Sequence, residues 1–266
     1  MTRSARTAAA LAVALGCAPA LREPPPLKPP PAAGTAASAD ELLRRAGEAW
    51  ARRADPAAVR AAQDLYLQAA SADERRVDGL VGAMRAAGWR IEREQDGAAR
   101  QELATEAVQL GQWCERRAPA SAACRYRLAI ALGQQARERT STAKDALERM
   151  AKLLREVIEK DPRLDRAGPH RVLALVLLRA PGWPLGPGDP EEGLREARAA
   201  GALFPEDAEN QLALGEALGA NGNEAEARAA LDRAAALAAR DAAAGDPDAP
   251  RVQEQVRVAT AKLGRG

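Results

Sequence analysis

Aromatic side chains are scarce in this sequence, and so is histidine. Phe, Trp and Tyr make up 3% of 266 residues, and His170 is the only histidine. Val, Ile and Thr are sparse and form no alternating apolar–polar run, which argues against a β-sheet. Alanine is abundant instead, which favours closely packed helices. The composition therefore predicts an all-α protein.

Neither positive nor negative charge predominates in the sequence. The net charge is +2, and acidic and basic residues alternate without forming a basic stripe. We therefore expect no nucleic-acid partner. The sequence has no phosphate-binding glycine loop, no Gly-x-Ser-x-Gly and no His-Glu-x-x-His, so it predicts no cofactor, no metal site and no catalytic residue. A single histidine without a recognisable nucleophile or orienting partner does not predict an enzyme.

The first residues are typical of an export signal. Arg3 and Arg6 precede an apolar stretch of nine residues, 7–15, which is too short to span a bilayer. Ala14-Leu15-Gly16-Cys17 then resembles a bacterial lipobox. This pattern predicts a signal peptide at 1–16 and lipidation of Cys17. The alternative is an ordinary signal peptide that is cleaved after Ala20.

Residues 17–39 are predicted to form a proline-rich tether that begins at the lipidated cysteine. Pro24-Pro25-Pro26 and Pro29-Pro30-Pro31 favour an extended chain, and the segment has too few apolar side chains to build a core. Ala18 stands where an acidic retention signal often follows the lipidated cysteine, so we expect the outer membrane as the anchoring membrane in preference to the inner one.

From residue 40 onward, apolar residues recur with helical spacing. Within Lys144–Lys160, Leu147, Met150, Leu154 and Val157 fall on one face at intervals of three and four. The same reasoning predicts helices at 40–53, 56–71, 75–94, 97–117, 121–138, 142–160, 168–180, 189–203, 206–220, 223–241 and 249–263. The last is expected to cap the apolar face of the final repeat.

The C-terminal half repeats with a period of 34. The set Gly193, Ala197, Ala200, Pro205 is followed 34 residues later by Ala227, Leu231, Ala234, Ala239. This is the tetratricopeptide period, in which small residues let two helices approach closely. Pro162 and Pro205 are 43 residues apart, which predicts a nine-residue insertion near 180–188. The fold predicted for 40–266 is therefore an α-solenoid of tetratricopeptide-like helix pairs.

Two cysteines remain besides Cys17. Cys114 would end one helix and Cys124 would begin the next, so in an oxidising compartment they are candidates for a disulfide across the hairpin. The alternative is a pair of buried free thiols. Trp50, Trp89 and Trp113 fall within predicted helices and are expected in the core.

The predicted insertion carries the fourth tryptophan. Trp183 and Leu185 stand among Pro181, Pro184 and Pro187. They could plug a gap between helix pairs, or form a fixed apolar lip for a ligand or another subunit. His170 is expected to begin a helix and to hydrogen-bond this loop.

One block of sequence resembles a known family. It comprises Gly168-Pro169-His170-Arg171, then Ala180-Pro181-Gly182-Trp183-Pro184-Leu185-Gly186, then Gly188-Asp189-Pro190, Phe204-Pro205-Glu206-Asp207 and Asn210. The block is similar to the T component of TRAP transporters, the TatT-like helical-repeat lipoproteins. That resemblance implies a periplasmic lipoprotein that forms a homotrimer and pairs with the solute-binding protein of a transporter.

The leading hypothesis is therefore a periplasmic protein-interaction component that is anchored by lipid. A general envelope scaffold and a carrier of a small hydrophobic ligand are the alternatives. His170, Pro181, Trp183 and Leu185 are the candidate ligand or interface residues.

Overall fold

A computed structural model describes residues 19–27 and 37–264. The predicted signal peptide and Cys17 lie outside the described residues. The described chain contains eleven α-helices and a short 3-10 turn, Thr140–Thr142, which confirms the all-α prediction. The helices are α1 (Ala39–Ala51), α2 (Pro56–Ala72), α3 (Asp78–Ile91), α4 (Gly97–Arg117), α5 (Ala122–Glu138), α6 (Ala143–Lys160), α7 (Leu164–Arg179), α8 (Pro190–Leu203), α9 (Ala208–Ala220), α10 (Glu224–Ala243) and α11 (Ala249–Leu263).

Most of these helices begin at a side-chain cap. Asp55 accepts a hydrogen bond from Ala57 N at 2.8 Å, and Asp189 accepts one from Glu192 N at 2.9 Å. Capping satisfies a backbone donor that the first helical turn leaves free, and each cap is worth about 1 kcal/mol. The further caps are Ser38, Asp96, Ser121 and Asp207.

Consecutive helices pack against each other as antiparallel pairs, and each pair stacks on the next. Two glycines allow the close approach. A Cβ on Gly193 would lie 3.2 Å from Ala174 O in the preceding helix, and one on Gly215 would lie 2.7 Å from Leu231 in the following helix. Gly193 and Leu231 belong to the 34-residue pattern, so the pattern marks where neighbouring helices come together.

The core is a series of neighbouring clusters, as a solenoid requires. One cluster lies among α1–α5, a second spans α3–α7, a third lies between α7 and α10, and the last joins α9, α10 and α11. Val252, Val256 and Ala259 of α11 are buried in that last cluster. The predicted role of the terminal helix as a cap is confirmed.

The described part of the proline-rich segment is extended but is not free of the helical domain. Ala20 is buried among core residues, and its N–H donates to Asp145 at 2.7 Å. The side chains of Gln112 and Trp113 donate to the carbonyl oxygens of Arg22 and Pro25, both at 2.8 Å. The expectation that this segment adds nothing to the core is therefore wrong for residues 20–27.

Candidate binding cavity

The inner face of the solenoid lines an open cavity of about 590 Å³. Helices α3, α5 and α7 supply most of its wall, and α6 and the first residues of α9 and α11 complete it. The first helices of successive pairs pack side by side along this face. Cavities of this size are typical of ligand sites, which usually measure about 300–1,000 Å³.

The two ends of the solenoid meet beside this open cavity. Arg53, just after α1, donates to Asp248 at 2.9 Å and to Asp246 at 3.0 Å. Arg93, just after α3, donates to the other oxygen of Asp248 at 2.9 Å. We call these four residues the clasp. It joins the start of the helical domain to the turn between α10 and α11.

Asp248 is the residue on which the clasp depends. Burial raises the pKa of its carboxyl group, but the hydrogen bond from Arg53 and the charges of Arg53 and Arg93 lower that pKa more. The pKa therefore lies below its ordinary value of 3.8. The carboxylate is charged at neutral pH and binds both arginines.

The cavity wall carries more positive than negative charge. Seven arginines line it, against four carboxylates. The arginines are Arg85, Arg93, Arg127, Arg137, Arg171, Arg179 and Arg251, and the carboxylates are Glu92, Asp165, Glu209 and Asp248. Arginine presents a planar fork of donors that suits carboxylate groups. The wall is therefore suited to an anionic group.

Apolar side chains occupy the rest of the wall. They are Met84, Ile130, Ala131, Leu147, Met150, Val172, Leu175 and Val176. An occupant of this cavity must accordingly offer apolar surface as well as negative charge.

Arg171 is the most deeply buried cation of the wall. Its guanidinium donates to Asn210 Oδ1 at 2.7 Å and lies 3.1 Å from Glu209. Burial lowers its pKa, but Glu209, the Tyr126 phenol and Asp207 outweigh burial, so the pKa is raised. Arg171 is thus a permanent positive charge in the cavity wall.

Glu209 is shared by two guanidinium groups, those of Arg171 and Arg251. Burial raises the pKa of Glu209, and the two arginines lower it further than burial raises it. The net pKa is below the ordinary 4.5. Asp207 lies 3.8 Å from Arg171 as well, so two carboxylates face the two guanidinium groups in this stretch of wall.

Two buried donors of the wall have no hydrogen-bond acceptor in the described part of the chain. They are Nε1 of Trp89 and Nε of Arg85. A buried donor without an acceptor costs about 1–3 kcal/mol of folding free energy, and these two atoms expose almost no surface from which a ligand could accept. Trp89 is half-buried and lies under the guanidinium of Arg93, 3.8 Å from ring centroid to Cζ. The prediction that it belongs to the core is wrong.

A left-handed turn forms the edge of the cavity at the start of α7. Asp165, Arg166 and Ala167 have φ values of 49°, 57° and 63°. Left-handed backbone is strained for residues other than glycine, and runs of it occur where surrounding contacts enforce it. Here the buried Asn210 side chain donates to Arg166 O at 3.0 Å. The regular helix begins only at Gly168, which is where the sequence predicted it.

Gly168 is required because Tyr126 lies against it. A Cβ at this position would lie 2.2 Å from the Tyr126 hydroxyl oxygen. Burial, together with the nearby Asp165, raises the pKa of Tyr126. The phenol therefore stays neutral and packs α5 against the start of α7.

The hydrogen-bond partner of His170 differs from the predicted one. It is buried, and its Nδ1 lies 2.6 Å from Oε2 of Glu196 on α8. The prediction of a hydrogen bond to the 180–188 loop, and with it a clamp on Trp183, is wrong. His170 instead joins α7 to α8.

The 180–188 loop is non-helical, as predicted. Its three candidate residues, Pro181, Trp183 and Leu185, do not lie in one site. Trp183 and Leu185 are 90% and 69% exposed, so the interpretation that they plug a gap between helix pairs is wrong. Pro181 lines the cavity, whereas Trp183 and Leu185 do not. Their use as an interface stays a prediction.

Cys114 and Cys124 are brought together at the α4–α5 hairpin. Their sulfur atoms are 2.06 Å apart, which is a disulfide. Both residues are buried in the cluster formed by the first five helices. Within residues 19–27 and 37–264, no three His, Cys, Asp or Glu side chains are grouped as a metal site would need. None of the described helices has the length and apolar character to cross a bilayer.

Stacked antiparallel helix pairs with a 34-residue spacing between α8 and α10 define the α-solenoid fold of tetratricopeptide-repeat (TPR) proteins. Comparison with solved structures agrees. A thermophilic TPR protein of Thermus thermophilus is similar over 84% of this chain and 99% of its own, with 20% identity and a TM-score of 0.58. This likeness shows the fold.

Two further TPR-type structures are less similar. The MamA protein matches at 14% identity over 77% of this chain and 93% of its own, with a TM-score of 0.46. YrrB, described as a TPR protein with an unusual peptide-binding site, matches at 17% identity over 75% and 86%, with a TM-score of 0.44. No family model and no curated protein matches the sequence.

Proposed function

We propose that this chain is a lipid-anchored periplasmic interaction protein that binds an acidic, partly apolar protein segment in the cavity on its inner face. The observation that carries the proposal is the cavity wall, where seven arginines face four carboxylates around an apolar floor. Solenoids bind extended segments on such inner faces because the repeats present a continuous, curved row of side chains.

The chemistry of the segment follows from the wall. The seven arginines of the wall outnumber its four carboxylates, and apolar side chains lie beside them. A segment with carboxylate groups would bind the arginines, and its apolar side chains would cover Ile130 and the residues around it. Complementary charge would also raise the rate of association.

The finer proposal is that the partner is the solute-binding protein of a TRAP-type transporter. The sequence block that resembles the T component supports it, since Arg171, Arg179, Ala180 and Pro181 of that block line the cavity. The Cys114–Cys124 bond supports an oxidising compartment such as the periplasm, since disulfides are rare in the cytosol. We propose the outer membrane for the anchor, and the homotrimer that the resemblance implies is part of the same proposal.

A second candidate is direct carriage of a small organic anion with an apolar tail. The volume of about 590 Å³ favours it, because that volume matches small-molecule sites. Native mass spectrometry of the purified protein would detect such a ligand as an added mass. The Arg127→Gln, Arg137→Gln double variant should lose that mass.

The main proposal is tested by photo-crosslinking in the native envelope. A photoreactive amino acid at Val172, in the cavity wall, should cross-link to an acidic segment of a solute-binding protein. The same amino acid at Arg228, an exposed residue of α10, is the control and should not. Cross-links to the same proteins from both positions would overturn cavity binding. A different acidic partner at Val172 would keep the binding mode and overturn only the transporter assignment.

A further inference from the structure

The apolar tip of the 180–188 loop stands out from the surface. Trp183 and Leu185 are the two most exposed large apolar residues of the described chain, at 90% and 69%. A bare tryptophan on a protein surface costs free energy in water, so such a tip marks a contact with another apolar phase. The tip is defined here as Trp183, Pro184 and Leu185.

The tip is held in a fixed position. Gly188 N donates to Pro181 O at 2.9 Å and closes the base of the loop, and Leu185 N donates to Gly182 O at 3.0 Å. At the tip itself, Lys144 Nζ donates to Pro184 O at 2.8 Å. Apolar side chains on a pre-ordered loop lose little conformational entropy when they bind.

The N-terminal segment reaches the same edge of the molecule. Ala20 N donates to Asp145, which is the neighbour of Lys144 in the sequence. Near the start of α6, Asp145 therefore binds the N-terminal segment and Lys144 binds the tip. In the sequence, only Ala18 stands between Cys17, the predicted lipidation site, and Pro19, the first described residue.

We infer that the tip is a second membrane contact, which enters the same bilayer leaflet as the lipid on Cys17. The inference rests on the predicted lipidation, not on the cavity. Tryptophan concentrates at the membrane–water interface because its ring is apolar and its N–H can bond a headgroup, and leucine adds apolar area. The lysine beside the tip would face the phosphate groups.

The physical consequence is orientation. A lipid chain on a single residue holds a protein at the membrane but lets it rotate. A second contact on the rigid body removes that freedom. The solenoid would then lie with the α6 start and the 180–188 loop against the bilayer.

The test uses the full lipidated chain in phosphatidylcholine vesicles with and without bromine on the acyl chains, since bromine quenches tryptophan that enters the bilayer. We expect brominated vesicles to quench part of the emission. That quenched part should disappear in Trp183→Phe and persist in Trp89→Phe, the matched control inside the cavity. Equal quenching in wild type and Trp183→Phe, with both proteins floating with the vesicles, would overturn the inference.

Two other outcomes would also overturn it. Mass spectrometry that finds no lipid on Cys17 would remove the anchor beside the tip. A dimer in solution that Trp183→Phe dissociates, together with no bromine quenching, would assign the tip to a second copy of the chain. Because Trp183 does not line the cavity, partner cross-linking from Val172 should be the same in Trp183→Phe, which separates this test from that of the proposed function.

Discussion

Arg53 and Asp248 are 195 positions apart in the sequence, yet Arg53 Nε donates to Asp248 Oδ2 at 2.9 Å. The pair connects the first helix hairpin to the turn before the last helix. A solenoid is ordinarily held only by contacts between neighbouring repeats. This contact closes the two ends of the solenoid against each other beside the open cavity.

Removing the charge of Asp248 should loosen that closure. We expect Asp248→Asn to weaken the bonds to Arg53 and Arg93 and to lower the free energy of unfolding by about 1 kcal/mol, because these pairs are partly exposed. Small-angle X-ray scattering should show a larger radius of gyration. Glu254→Gln is the control, since Glu254 pairs only within α11. An unchanged radius in Asp248→Asn would show that the clasp does not set the closure.

The clasp should also respond to acid. The pKa of Asp248 is lowered in the folded state from its ordinary value of 3.8. The stabilisation is therefore present above the ordinary value and is lost as the pH falls through the lowered folded-state value. We expect the difference in free energy of unfolding between wild type and Asp248→Asn to be constant near neutral pH and to vanish in strong acid. A difference that persists in acid would contradict this assignment.

The disulfide should stabilise the N-terminal half. Cys114 and Cys124 are ten positions apart, and closing a loop of this length restricts the unfolded chain by roughly 2–3 kcal/mol. We expect Cys114→Ser with Cys124→Ser to lose about that much in urea unfolding. Reductant should destabilise the wild type and leave the double variant unaffected. If reductant leaves the unfolding midpoint of the wild type unchanged, the disulfide does not stabilise the protein.

Much of the fold was predictable because helices form from local signals. Caps such as Asp189, followed by Pro190, mark helix starts, and the spacing of Met150, Leu154 and Val157 marks a buried face. The one pronounced departure is the left-handed turn at Asp165–Ala167. It contains no glycine or asparagine from which the sequence could have predicted it, and a hydrogen bond from Asn210 of α9 stabilises it.

The cavity was not predictable in the same way. Its arginines come from four helices and the turn after α3, and each of them taken alone is typical of a solvated surface. Trp89 is predicted to be in the core by its helical setting and lies instead in the cavity wall. His170 was assigned to the loop that follows it, and its partner Glu196 lies on the next helix.

The sequence by itself determined the helices, their pairing and the repeat spacing, since hydrogen bonds within four residues and apolar periodicity depend only on nearby positions. The tertiary structure alone decided that the ends meet at Asp248 and that residues 20–27 pack along α4. It also left Trp183 exposed. Small rotations between successive repeats add up to the overall curvature, and no local pattern records their sum.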